Sequence, residues 1–226
     1  MRTYSSGDMA KLYCKECDGC GDCCRCMGDT IELDPYDAFQ LTYGLGKDFA
    51  SLIGPVVGLH ENGGMVLPFM QTRPIPEEEQ RARGMHFADG QEPEECIFLS
   101  ADGRCQIHGF RPGICRLFPL GRQYAEDGRS QCYFMVEEVT CDYPKTKVRI
   151  DKWLGIPDLE EYEAFKIHWH SLVKRVQERL STPGADDAFR RKISTLFLQE
   201  FYIKSYLGTD FYEEVGRRMG QVEPLF

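Results

Sequence analysis

Apolar residues never run on for more than a few positions in this 226-residue chain, so no segment is built to span a bilayer. Residues 1–13 also lack the apolar core of a secretory signal, and the expected compartment is the cytoplasm. Positive charge is scarce and scattered: 27 basic side chains stand against 36 acidic ones, for a formal charge of -9. That balance argues against nucleic acid or an anionic membrane as the partner. Serine-nucleophile, phosphate-loop and metalloprotease signatures are missing. Histidine is rare, and the only close pair, His168 and His170, falls on different faces of a helix. No repeat of fixed period organises the chain.

Cysteine, by contrast, is abundant. There are eleven, and Cys14, Cys17, Cys20, Cys23, Cys24 and Cys26 crowd into one Gly/Asp-rich loop. An odd number fits a disulfide framework poorly, and a reducing compartment favours metal ligation over cross-linking. Exposed unligated thiols in such a loop would be oxidation liabilities.

Asp34-Pro35 reads as the cap and first position of a helix over 36–43. Phe49, Leu52 and Ile53 suggest a further short turn. The run 57–70, broken by Asn62-Gly63-Gly64, predicts a β-hairpin. Residues 73–95 are polar and Pro/Gly-containing and read as an exposed loop, with Glu77-Glu78-Glu79 as its solvated charge. Cys96–Leu99 and Cys105–His108 flank Asp102-Gly103 and predict a second hairpin. Arg111-Pro112 should open a short helix carrying Cys115. The segments 120–125 and 131–136 predict a third hairpin around Asp127-Gly128. Beyond Cys141 the pattern changes to helical. Leu159, Tyr162, Phe165, Trp169, Leu172, Val176 and Leu180 share one face, as do Phe189, Ile193, Leu196, Phe197 and Phe201 after a break at Thr182-Pro183-Gly184. These aromatics read as core. Gly208 is expected to end the second helix and Thr209 to cap a short last one.

The spacing Cys17-x2-Cys20-x2-Cys23 brings three thiolates into one turn and leaves a corner for a remote ligand, the local pattern of a cubane iron–sulfur site. Zinc accepts tetrahedral sulfur too, usually from paired Cys-x2-Cys knuckles, and remains the alternative. Cys23 and Cys24 are adjacent, so in extended or turn backbone their sulfurs are expected to diverge. They then serve two nearby sites, or one of them stands behind the ligands.

The full set is Cys17-x2-Cys20-x2-Cys23-Cys24, Cys96, and Cys105-Gln-Ile-His108-x2-Arg111-Pro112-x2-Cys115-Arg116-x2-Pro119. It resembles the zinc- or iron-chelating cysteine-cluster family of CxxCxxCC type, which includes YkgJ-type proteins and the flagellin lysine N-methylase. The resemblance runs over roughly residues 14–155. It implies a further downstream ligand, matched by Cys141, and so eight metal-binding cysteines: 17, 20, 23, 24, 96, 105, 115 and 141. Eight thiolates divide into two tetrathiolate sites, with the partition open. Cys14 and Cys26 lie outside the pattern, and Cys132 sits in an expected strand as a buried thiol. Arg111 and Arg116 flank Cys115, where guanidinium groups would stabilise an anionic cluster and raise its potential; Arg111 could equally hold the backbone. His108 is read as a supporting group in preference to a ligand.

The expected fold is α+β: an irregular, hairpin-rich cysteine-cluster metal-binding domain over 1–155 and a C-terminal helical segment over 156–226. The expected function is a cysteine-ligated iron–sulfur protein, 4Fe-4S in type. It would serve redox sensing or electron transfer to an unidentified redox or protein partner, or act as an oxidoreductase component. The alternatives are a zinc-stabilised interaction module and a methyltransferase of the N-methylase type. Against the last, no Gly-rich strand-to-helix turn and no Cys-x3-Cys-x2-Cys triplet occurs.

Overall fold

The computed structural model describes residues 2–13, 21–87, 90–136 and 145–226. The chain starts with strands β1 (Thr3–Tyr4) and β2 (Met9–Tyr13) and passes through a 3-10 turn, Asp22–Cys24. Helix α1 (Pro35–Leu45) follows, opened by a reciprocal capping box. Asp34 accepts from the Asp37 N–H and Asp37 from the Asp34 N–H, with Pro35 at the first position as its fixed φ favours. After α2 (Phe49–Leu52), β3 (Val57–Asn62) and β4 (Met65–Met70) form the first predicted hairpin in antiparallel register. Its two loop residues, Gly63 and Gly64, both have positive φ, 61° and 81°, which is why glycine stands there.

The stretch 73–95 departs from the loop expectation. It contains β5 (Thr72–Pro74), α3 (Glu77–Ala82) and β6 (Glu94–Cys96), with β5 and β6 paired. Glu77-Glu78-Glu79 is the first turn of α3, where carboxylates favour the positive end of the helix dipole. The turn expected at Asp102-Gly103 forms, with Leu99 bridged to Cys105 and the Ser100 and Gln106 N–H groups donating to the Arg104 and Phe98 carbonyls at 2.9 Å, but it does not extend into strands because the chain turns again after Cys96 and after Cys105. Helix α4 (Gly113–Leu117) carries Cys115 as expected, and β7 (Leu120–Tyr124) with β8 (Gln131–Met135) makes the last predicted hairpin, extended by β1 on the far side of β8. Strand β9 (Lys145–Arg149) pairs with β2 and leads into α5 (Ile150–Leu154).

Helix α6 (Leu159–Leu180) buries Tyr162, Phe165, Trp169, Leu172, Val176 and Leu180, as their spacing predicts. Helix α7 (Asp187–Phe197) runs on into a π-helical turn, Leu198–Ile203. That turn ends before Gly208. The buried Arg218 gathers the carbonyls around its end, donating to Glu200 within the turn and to Lys204 and Ser205 just past it at 2.7–2.8 Å. The final helix, α8 (Phe211–Val222), is capped by Asp210 and not by Thr209.

The result is an α+β fold of small antiparallel sheets and packed helices. One hydrophobic core draws on both stretches, from Leu12, Leu33, Leu41 and Met65 to Trp169, Leu172, Phe197 and Phe201. Among the hydrogen bonds that tie the helices to the N-terminal part are Val66 N–H to Ser194 Oγ at 3.0 Å and Tyr202 OH to the Leu33 carbonyl at 2.9 Å. No helix among the described residues is long and apolar enough to cross a membrane.

Candidate metal centre

Three stretches of chain carry the described cysteines of the motif. The first is the 3-10 turn ending at Cys24. Folding the backbone there turns the Cys23 and Cys24 sulfurs towards each other, 3.7 Å apart, instead of letting them diverge as extended backbone would. This turn is fastened to β6. The Cys26 N–H donates to the Glu94 carbonyl at 3.0 Å, the Gly28 N–H donates to the Glu94 carboxylate, and Arg25 pairs with Glu95 both as a backbone bridge and at 3.7 Å between side chains. Glu95 is only 1% exposed, and Arg73 and Arg83 also converge on it.

Cys96 ends β6, and the chain turns back at once, with the Leu99 N–H donating to the Cys96 carbonyl at 2.9 Å. Cys105 lies across from Leu99, so the second stretch presents Cys96 and Cys105 from one folded loop. The third is α4. Pro112 caps it in extended conformation, and the Gly113 N–H donates to Asp37 Oδ1 at 2.7 Å, which satisfies a donor that the short helix leaves open.

The Arg25–Glu95 bridge sets Cys24 beside Cys96, and charge on neighbouring cysteines bears on the thiols of Cys24, Cys96 and Cys115. The Cys24 thiol is pushed up by its bond with Cys23, by burial, and by the charges of Cys23, Cys96 and Cys115. Burial, with Cys105 and Cys23, pushes Cys96 up to about 11. Cys115 is raised by burial first, then by Cys23, Cys96, Asp37 and Cys105. Bringing these sulfurs together as thiolates is therefore costly unless a cation joins them, and a coordinated cation deprotonates a thiol outright. Thiolates are ligands for both zinc and iron, so the donor chemistry fits either metal.

The two arginines divide their work. The Arg111 guanidinium donates to the His108 carbonyl at 3.0 Å. Burial and Arg116 lower its pKa, against the opposing pull of the Cys105, Cys115 and Cys23 thiolates. Arg116 spends its nitrogens on the carbonyls of Arg111, Gly109 and Gly155 and so braces the backbone around Cys115. Cys132 stands half-buried in β8 opposite Gln123. Cys14, Cys17, Cys20 and Cys141 lie outside the described residues, and among the described residues no three Cys, His, Asp or Glu side chains stand close enough to hold one ion. Sequence reasoning missed the Glu94–Glu95 clasp and the Asp37 bond to Gly113. Both join residues far apart in the chain, and only the reciprocal Asp34-x2-Asp37 cap is a local signal.

An α+β chain that gathers cysteines from three separated stretches is a cysteine-cluster protein. The CxxCxxCC family, described as a "putative zinc- or iron-chelating domain", matches residues 16–142, more than half of the chain, and the chain belongs to that family. No curated protein matches it. No solved structure does either.

Proposed function

We propose that the cysteine cluster holds an iron–sulfur centre of the 4Fe-4S type and that the protein works in the cytoplasm as a redox sensor or electron carrier, or as part of an oxidoreductase. The observation that carries this reading is that the chain brings motif cysteines from separated stretches together: the Arg25–Glu95 bridge sets Cys24 beside Cys96, Cys105 lies across from Leu99 in the loop that follows Cys96, and the Cys23 and Cys24 sulfurs are 3.7 Å apart. The Cys17, Cys20 and Cys23 spacing supplies the preference for iron. When bound, the centre would take up or release an electron. The chain's residues would hold it by thiolates, with Cys17, Cys20 and Cys141 completing the set, and Arg111 would offset its negative charge. A low-dielectric surrounding with a nearby guanidinium raises the potential of such a centre.

A second reading has one distance in its favour. The 3.7 Å between the Cys23 and Cys24 sulfurs matches the edge of a tetrahedron built on metal–sulfur bonds of about 2.3 Å, about 3.8 Å. Ligands on separate irons of a cubane stand further apart, so this pair suits a single tetrahedral ion, and a zinc-stabilised interaction module is the alternative.

Oxygen-free isolation followed by metal analysis, acid-labile sulfide and visible absorption separates the two. Iron with sulfide and a broad visible band supports the first reading. A colourless protein with stoichiometric zinc and no sulfide replaces it with the second.

A further inference from the structure

The Cys115 helix is held from behind by residues that the motif does not contain. We infer that Asp37, together with Lys166 and Tyr162 of α6, positions Cys115, so that the C-terminal helix beyond the family match shapes the metal centre. The inference rests on the metal-binding reading of the cysteine cluster.

The connection can be followed atom by atom. Gly113, two residues before Cys115, donates its N–H to Asp37 Oδ1 at 2.7 Å. The other oxygen of Asp37 accepts from the Asp34 N–H at 3.1 Å, and Asp34 Oδ1 accepts from the Asp37 N–H at 2.9 Å. Asp34 Oδ2 then takes a hydrogen bond from Lys166 Nζ at 2.5 Å. Asp34 and Asp37 are 4% and 3% exposed, so these bonds act without competition from water.

From the other side, α6 presses the Tyr162 hydroxyl against the same residue. A Cβ at Gly113 would lie 2.1 Å from that oxygen, so any larger residue there would force α4 or the Tyr162 ring to shift. The Tyr162 hydroxyl itself is buried with no hydrogen-bond partner. Two further bonds secure the remainder of the limb. Arg116 reaches the Gly155 carbonyl at 3.5 Å, and the Trp153 indole N–H donates to the Phe118 carbonyl at 3.1 Å.

Groups behind metal ligands tune affinity by about 10–100-fold when removed. Cobalt(II) titration of the full-length, reduced, metal-free chain tests this. Thiolate-to-cobalt charge-transfer bands report the ligand geometry, and competition with zinc gives relative affinity. Asp37→Ala should bind cobalt about 10–100-fold more weakly, with shifted bands. Asp37→Asn keeps an oxygen acceptor for the Gly113 N–H but loses the one that accepts from the Asp34 N–H, so it should recover part of the affinity and of the wild-type bands. A folded Asp37→Ala chain with wild-type affinity and spectrum overturns the inference, as does an Asp37→Asn chain no better than Asp37→Ala. Should Asp37→Ala not fold, Lys166→Met decides. Weakened cobalt binding supports the tether, and unchanged binding overturns it. If the wild-type chain itself shows no thiolate band, the metal-binding reading has failed, which is a separate outcome.

Discussion

Glu95 is the most exposed point of failure in the clasp that sets the first cysteine turn against β6, although its carboxylate is itself buried. Replacing it with alanine takes the shared anion from Arg25, Arg73 and Arg83 at once. Removing one partner of a buried ion pair costs about 3–5 kcal/mol. Here Arg73 and Arg83 are 41% and 25% exposed and both retain Glu79, so solvent screening and the remaining partner reduce the expected loss to about 2 kcal/mol. That is about a 30-fold change in the folded-to-unfolded ratio. With a urea m-value of about 2 kcal/mol/M, the unfolding midpoint of the reduced, metal-free chain should fall by about 1 M. Arg104→Ala, which removes an exposed pairing with Asp102 at 4.0 Å, should leave the midpoint where it is. The reasoning is refuted if Glu95→Ala unfolds at the same urea concentration as Arg104→Ala.

Serine at Cys105 or Cys115 should lower bound metal and thermal stability together, and serine at Cys17 or Cys20 should do the same, whereas Cys132→Ser should change metal content little; full metal content in Cys115→Ser contradicts the remote-ligand assignment. Gly113→Ala should be strongly destabilising because its methyl group meets the Tyr162 hydroxyl, and adding Tyr162→Phe should recover part of the loss in thermal unfolding. Tyr162→Phe alone removes a buried, unpartnered hydroxyl and should be neutral or stabilising; a large loss of melting temperature would show that the hydroxyl has a partner after all. Burial and the adjacent Asp34 push Asp37 up to about 7 in the folded chain, above the usual carboxylate value of about 4. Between those values the folded chain keeps a proton that the unfolded chain has lost, so this group's contribution makes stability fall as pH rises from about 4 to about 7. Asp37→Asn should remove that component from a urea unfolding series, and an identical pH slope in the variant would contradict the assignment.

Local chemistry made much of the fold legible. The six buried residues of α6 follow from a 3.6-residue period, the β3–β4 turn from Gly63-Gly64, and the start of α1 from Asp34-Pro35. What was not legible depended on partners distant in sequence. Residues 73–95 are polar enough to read as loop, and they become β5, α3 and β6 because Thr72–Pro74 pairs with Glu94–Cys96 and because Arg73 and Arg83 converge on Glu95. The turn expected between Cys96 and His108 formed around Asp102-Gly103 but stayed short, since the chain turns back at Leu99 and again after Cys105. In the site, Cys96 and Cys105 come from one loop and Cys115 from the helix opened by Arg111-Pro112, as the motif suggests. The vicinal pair ran against expectation, because a 3-10 turn at Asp22–Cys24 brings adjacent sulfurs together. Asp37 could be read as part of a helix cap, but its bond to Gly113 crosses 76 positions and no local pattern announces it.

X-ray absorption at the edge of the bound metal, on protein kept free of oxygen, addresses the ligation itself. The account predicts a shell of about four sulfur neighbours at about 2.3 Å that weakens when Cys115 is replaced by serine. A metal ringed only by nitrogen and oxygen, or a reduced chain that retains no metal at all, would contradict it.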